Sequence, residues 1–485
     1  MLFNSYEFMI FFPIVVIIFL IIPKSLRSIW LLTASYYFYM SWNPRYAVLI
    51  VASTLITYIS GILLERSGSK VRRKLIVALS FVCNLTILFV FKYANFMMDT
   101  LAVLLGTIGI GFTQSRLDFL LPVGISFYTF QALGYTIDVY RGDIKAEKNF
   151  IDYALFVSFF PQLVAGPIER SGNLLNQIRN IKSINILNRD RIRSGLLLMS
   201  WGLFQKLVIA DRASILVDHI YNNYEGYGTA ELSIATAVFA FQIYGDFAGY
   251  TNIARGAASV MGFELMENFR QPYLAVSISD YWRRWHISMT SWFRDYLYFP
   301  LGGSRKGILR KYLNIIIVFF ASGLWHGASW HYVAWGLVNS IYQIIEDLAA
   351  RIRKKFKVRD AGSNIILRIV RTCIAFMFIC STLVFFASKS VPMACDIFRR
   401  IFTLPLLITG DYGLDKADLI VLAASVLILI AADIIHECGY RVTSFISRCN
   451  MGVRIIFYSG IIWTIVLFGI YGTGYDTGQF IYFQF

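Results

Sequence analysis

The chain has 485 residues, 57% of them hydrophobic and 15% charged, with a mean hydropathy of +0.60, against roughly 45–50% apolar and about 25% charged in an ordinary soluble domain. That excludes a soluble globule and a disordered chain, and six scattered cysteines without a C-x-x-C pair exclude a disulfide scaffold and read as small apolar fillers. Lys and Arg outnumber Asp and Glu by 45 to 29, a formal net charge of +16, and in so apolar a chain the excess marks cytoplasmic loops rather than a nucleic-acid surface.

A helix needs about 20 mostly apolar residues to cross roughly 30 Å of hydrocarbon. Charge-free runs near that length occur at 8–23, 28–44, 46–64, 75–91, 100–115, 119–137 and 153–168. The first follows Glu7 without a basic leader or a small-residue cleavage site and reads as a retained span. Runs at 194–205, 232–245 and 419–432 are too brief to span unaided, and read as re-entrant pieces or as spans completed by polar flanks. The stretch 312–345 holds no Lys, Arg, Asp or Glu and is long enough for two passes joined near 327–330. Runs at 372–388 and 455–475 close the series, for about ten to fourteen membrane-embedded helices in all. Basic clusters at Lys24 and Arg27, from Arg66 to Lys74, from Arg170 to Arg193, from Arg283 to Lys311 and from Arg351 to Arg359 share the cytoplasmic side if the N-terminus faces out. With no internal repeat, linker or composition shift, residues 1–485 read as a single membrane-embedded domain of an all-α polytopic integral membrane protein.

Polar groups at membrane depth are costly and point to function. Three regions carry them. Residues 278–311 open I-S-D-Y-W-R-R-W-H and mix basic residues with Trp282, Trp285, Trp292, Tyr281, Tyr296 and Tyr298. They read either as an interfacial helix with rings at headgroup depth or as a surface that receives an anionic, nucleotide-bearing ligand, with Arg on phosphates and a ring stacked on a base. Residues 321–335, A-S-G-L-W-H-G-A-S-W-H-Y-V-A-W, place His326 inside the longest charge-free stretch, with Gly323 and Gly327 permitting close approach. Burial disfavours a charged imidazole, which leaves a neutral ring able to accept a proton. His326 and His331 are five apart, about 140° around a helix, where a zinc pair needs a spacing of three or four. No metal site is expected, and His331 reads as interfacial, His219 and His436 as structural. The third region, F-V-S-F-F-P-Q-L-V-A-G-P-I-E-R at 156–170, is interrupted by Pro161, Gly166 and Pro167. It reads as a kinked helix end or as part of the wall of a passage, since broken backbone at membrane depth needs protein or a cavity around it.

Further segments accompany these: L-L-T-A-S-Y-Y-F-Y-M-S-W at 31–42, F-K-Y-A-N-F at 91–96, L-P-V-G-I-S-F-Y-T-F at 121–130, I-D-V-Y-R-G-D at 137–143, G-L-F-Q-K-L-V-I-A-D at 202–211 and M-G-F-E-L-M-E-N-F-R-Q-P-Y at 261–273. With W-R-R-W-H at 282–286 followed by G-L-W-H-G at 323–327, the chain resembles the membrane-bound O-acyltransferase (MBOAT) family, and within it the membrane subunit of bacterial alginate and cell-wall polysaccharide O-acetylation. The resemblance implies a helical bundle with re-entrant and interfacial helices around a central passage, core motifs in 121–335 and further helices in 364–472. It implies a multi-pass protein of the cell membrane, among lipids and without nucleic acid, that takes an acetyl group from acetyl-CoA. The group then goes toward an extracytoplasmic polysaccharide, alginate-like or peptidoglycan, through a secreted SGNH-hydrolase-like acetyltransferase partner. Acetyl-CoA is a substrate here, and no resident cofactor is implied. The family's essential histidine falls on His326, its second motif histidine on His286, and an important polar position on Asp211 beside Lys206. On the chemistry of acyl transfer, His326 is expected to act as base, Trp325 N–H or His286 to orient or donate, and Arg283, Arg284 and Arg294 to hold CoA phosphates. The rival readings are D-alanyl transfer to teichoic acid from a carrier protein, and a secondary transporter relaying protons through His326, Asp246, Asp433 and the Glu346–Asp347 pair, although no repeated halves are visible.

Overall fold

Every regular element among the described residues is helical, as lipid demands of a chain that must satisfy its own backbone. The computed structural model describes residues 1–111, 116–117, 122–164, 166–356, 364–405 and 410–471, without the side chains of 443, 444 and 447. Leu121, Ala165, residues 357–359 of the last basic cluster, residue 472, and parts of the runs expected at 100–115, 119–137 and 455–475 lie outside them. Eight helices among the described residues are long and apolar enough to cross a membrane. The chain packs as two compact units, Met1–Leu196 with Ala254–Met266, and Leu197–Ile253 with Glu267–Phe485.

The first unit contains α1 (Tyr6–Ile21), α2 (Arg27–Met40), α3 (Ala47–Arg66), α4 (Lys70–Leu88), α5 (Ala94–Thr107), α6 (Ile125–Arg141), α7 (Phe150–Ser158), α8 (Phe160–Leu163) and α9 (Asn176–Arg179). The run at 75–91 and the first half of the run at 100–115, expected as separate passes, belong to one continuous helix, Lys70–Thr107, with a π-helical turn at Phe89–Tyr93. No Gly or Pro lies between them to break it, and the Lys92 ammonium finds Ser126 Oγ at 3.2 Å. At 156–170 the helix stops at Ser158, Pro161 opens the short α8, and residues 166–170 are not helical. This broken stretch is buried in protein: Gln162 donates to Gln131 at 2.7 Å, and Glu169 accepts from Met266 N–H at 2.6 Å and Asn173 Nδ2 at 2.7 Å. Gly166 is required there, because a Cβ would lie 2.4 Å from Gln162 Cα.

The second unit takes the end of α10 (Arg189–Leu203), α11 (Asp211–Asn222), most of α12 (Thr229–Met261), α13 (Ile278–Arg284), α14 (Ile287–Phe293), α15 (Ile308–His326), α16 (Trp330–Lys355), α17 (Ile365–Ala387), α18 (Val391–Thr403), α19 (Lys416–Glu437), α20 (Val442–Arg448) and α21 (Met451–Phe468). The runs at 194–205 and 232–245, expected to be too brief to span, are parts of continuous helices of 34 and 33 residues. Their charges are neutralised in place. Lys206 Nζ lies 2.9 Å from Asp211 and 2.6 Å from Asp246, with all three side chains buried. Glycine makes the meeting possible: a Cβ on Gly202 would lie 2.5 Å from the Gly249 carbonyl. The run at 419–432 likewise extends to the 22 residues of α19, and its buried Asp433 accepts from Tyr244 Oη at 3.2 and 3.1 Å.

The long charge-free stretch is two helices joined at 327–329, as expected. α15 and α16 cross closely: a Cβ on Gly323 would meet the Tyr332 carbonyl at 2.4 Å, and one on Gly336 the Phe319 carbonyl at 2.2 Å. In 278–311 the rings of Tyr281, Trp282, Trp285, Trp292 and Tyr296 are buried inside the unit. They form core rather than a headgroup belt or an open platform for a base, because α13 and α14 are short enough to tuck their aromatic faces against α12, α15 and α16.

Candidate active site

His326 is the last residue of α15, and the chain turns at once through the extended Gly327 into α16. The ring is walled by Trp325 at 5.0 Å, Trp335 of α16 at 4.9 Å and Phe386 of α17 at 5.4 Å between centroids. It is 3% exposed. His286, wholly buried, faces the same chamber: its ring lies 6.5 Å from His326, 5.7 Å from Trp325 and 4.6 Å from Phe247 of α12. The two histidines stand 40 positions apart in sequence and come together in the fold.

His286 caps α14 with φ 43° and ψ 53°, a left-handed conformation that costs a side-chain-bearing residue on the order of 1–3 kcal/mol and persists only when its surroundings enforce it. Asn268 supplies that enforcement. Its carbonyl accepts Ile287 N–H at 2.9 Å, its Oδ1 accepts Ser288 N–H at 3.3 Å, and its Nδ2 donates to Thr251 Oγ1 at 3.3 Å. Burial pushes the His286 imidazole well below its ordinary pKa, so the ring is neutral and each nitrogen is a donor or an acceptor according to tautomer.

The other expected site residues separate into three groups. Trp325 lines the chamber. Arg284 is held in place, with Nε 3.0 Å from Asp280 and its two terminal nitrogens 2.7 and 3.2 Å from Glu437, which also binds Arg368 at 2.7 Å. Arg283 is 73% exposed with Asp280 4.0 Å away, and Arg294 is 57% exposed beside Asp295. Asp211 belongs to the Lys206 cluster described above. His331 is buried rather than interfacial, its Nδ1 3.1 Å from the Phe385 carbonyl. Asn268, Phe386 and Glu437 escape the sequence reading. Asn268 lies inside the 261–273 segment, but only its three-dimensional neighbours show what it holds.

The family model for MBOAT, the membrane-bound O-acyltransferase family, matches residues 145–388, which include both histidines. The chain is 35% identical over 435 residues to the probable alginate O-acetylase AlgI of Azotobacter vinelandii, covering 88% of this chain and 83% of that protein. It is 32% identical over 396 residues to the peptidoglycan O-acetyltransferase of Helicobacter pylori, covering 77% and 73%. A more distant relative is the teichoic acid D-alanyltransferase of Streptococcus thermophilus, 30% identical over 259 residues that cover 50% of this chain and 60% of that one. A multi-pass helical fold, two converging histidines and these matches lead to one conclusion: the chain belongs to the membrane-bound O-acyltransferase family and is a membrane acyltransferase.

Proposed function

We propose that this protein moves an acetyl group from cytoplasmic acetyl-CoA across the membrane toward an extracytoplasmic polysaccharide, by way of a secreted SGNH-hydrolase-like acetyltransferase. The observation that carries the reading is the buried pair His326 and His286, 6.5 Å apart in an aromatic chamber. Support for acetyl over alanyl comes from extent of likeness: the O-acetylating relatives align over 88% and 77% of the chain, the D-alanyltransferase over 50%.

In this mechanism a ring nitrogen of His326 takes the proton of the acceptor hydroxyl as its oxygen attacks the thioester carbonyl. The C–S bond breaks, and the proton passes to the departing CoA thiolate. Trp325 and His286 orient the reacting groups. Arg283, exposed and only 4.0 Å from Asp280, and Arg294, exposed although paired with Asp295, meet the CoA phosphates, while Arg284 serves them by locking α13 to α19 through Glu437. Asp211 supports from a distance by neutralising Lys206.

Labelled acetyl-CoA supplied to membranes containing the protein tests the reading, together with deletion of the gene and measurement of O-acetyl groups on each envelope polymer. Acetyl label on the partner or polymer is the expected result. Label passing only from a D-alanyl carrier, or solute flux without label transfer, would replace it with one of the rival readings.

Two variants probe the supporting residues. Asn268→Ala keeps the main-chain bond to Ile287 N–H but removes the side-chain bonds to Ser288 N–H and Thr251, loosening the turn at His286, and since misplacing a catalytic group by about 1 Å costs on the order of 10²-fold, kcat should fall by up to about that much while donor KM stays within about twofold. Steady-state kinetics decides, and an unchanged kcat would detach Asn268 from the site. Arg283→Gln should raise donor KM about tenfold, as expected for one lost charge-assisted hydrogen bond, with membrane insertion unaffected. Equal loss of insertion and donor use would return Arg283 to a topological role.

A further inference from the structure

Trp282, in α13, is 6% exposed, and its indole Nε1–H meets no acceptor among the described residues. Its ring stands edge-on to Phe319 of α15 at 5.1 Å and to Trp335 of α16 at 5.8 Å, and Trp335 in turn packs at 4.9 Å on His326. A second buried polar atom on this wall, Ser322 Oγ, is 3% exposed by residue and also has no partner among the described residues. Ser322 follows Phe319 by three positions and precedes His326 by four, so the three share one face of α15. Buried polar groups are nearly always hydrogen-bonded, and each exception asks for an explanation. Phenylalanine would fill an apolar wall here without an unmet donor.

An indole N–H can only donate, so whatever completes it presents an acceptor oxygen. The acyl group of a bound thioester presents such an oxygen. We propose that the Trp282 indole N–H donates to the carbonyl oxygen of the acyl thioester, and that the bond strengthens as this oxygen takes on negative charge during attack. The inference rests on the reading under Proposed function and deepens it. As the carbonyl carbon becomes tetrahedral the oxygen gains the electron pair, and as the C–S bond breaks the carbonyl re-forms, so the indole holds the charge for the life of the intermediate and gives up no proton.

Trp282→Phe removes the N–H together with the second ring of the indole. The variant should lower kcat for acetyl transfer about 100-fold, as loss of one oxyanion donor does elsewhere, with donor KM within about twofold. Two inhibitors sharpen the test. Acetonyl-CoA, which keeps a ketone oxygen, should bind about tenfold more weakly to the variant, whereas S-ethyl-CoA, which has none, should bind both proteins alike. Wild-type kcat in the variant, or equal weakening of both inhibitors, overturns the assignment. If Trp282→Phe fails to fold, benzothienylalanine at position 282 replaces N–H by sulfur at almost constant shape and is read by the same criteria. A parent protein that transfers no acetyl from acetyl-CoA refutes the proposed function itself; a parent that transfers it beside an unimpaired Trp282→Phe refutes only this inference.

Discussion

His326→Ala is expected to abolish acyl transfer, with a loss of at least about 10³-fold, within the range that removal of a positioned general base produces. The ring sits at the end of α15 with Trp325, Trp335 and Phe386 around it, and among the described residues the second histidine ring packed near it is His286, 6.5 Å away and held by its left-handed backbone. The protein should still insert and purify, since α15 is anchored to α16 by the crossing at Gly323 and Gly336 rather than by the imidazole. His331→Ala is the matched control: its ring packs on Tyr332 and its Nδ1 pairs with the Phe385 carbonyl, behind the Phe386 wall rather than against His326, and activity should survive. Label transfer by the purified variants, beside their melting temperatures, decides the matter. Substantial activity in His326→Ala, or equal inactivation of both variants, would remove His326 from the role of base.

Lys206→Met should cause the largest loss of stability. One ammonium stands between Asp211 and Asp246 at 2.9 and 2.6 Å, with all three groups buried. Removing it leaves two carboxylates facing each other in a medium that solvates neither, and breaking a buried pair in this way costs about 3–5 kcal/mol. The expected result is little or no folded protein extracted from membranes. Adding Asp211→Asn and Asp246→Asn to the same chain should restore much of the yield, because the isolated charges are then gone. Detergent-solubilised yield and thermal unfolding report both steps, and a stable single variant would show that the cluster contributes nothing net.

The same cluster explains where sequence reading succeeds and where it stops. The runs at 46–64 and 372–388 become α3 and α17 with little change, because a helix facing lipid must be apolar along its length and its pattern is local. The runs at 194–205 and 232–245 look too short because Lys206, Asp211 and Asp246 interrupt them. Whether a charge ends a membrane helix depends on its partners, and one partner of Lys206, Asp246, is 40 residues away, brought near by glycines that let two helices touch. The aromatic stretch after 278 misleads for a related reason. Tryptophan and tyrosine suit both a headgroup layer and a packed core, and only the faces offered by α12, α15 and α16 select the core.

Taken alone, the amino-acid sequence determined the membrane class, the all-helical architecture and the α15–α16 hairpin, and its short motifs pointed to His326 and, through a family resemblance, to His286. These depend on composition, apolar run length and short motifs, all of which are written along the chain. The tertiary structure alone decided that the two histidines come together, that Asn268 holds His286 in a left-handed turn, that Glu437, 153 residues from Arg284, captures that guanidinium, and that Trp282, with its unmet N–H, packs on Trp335, which packs in turn on His326. Each of these requires helices distant in sequence to meet, and no local pattern of residues encodes which faces will do so.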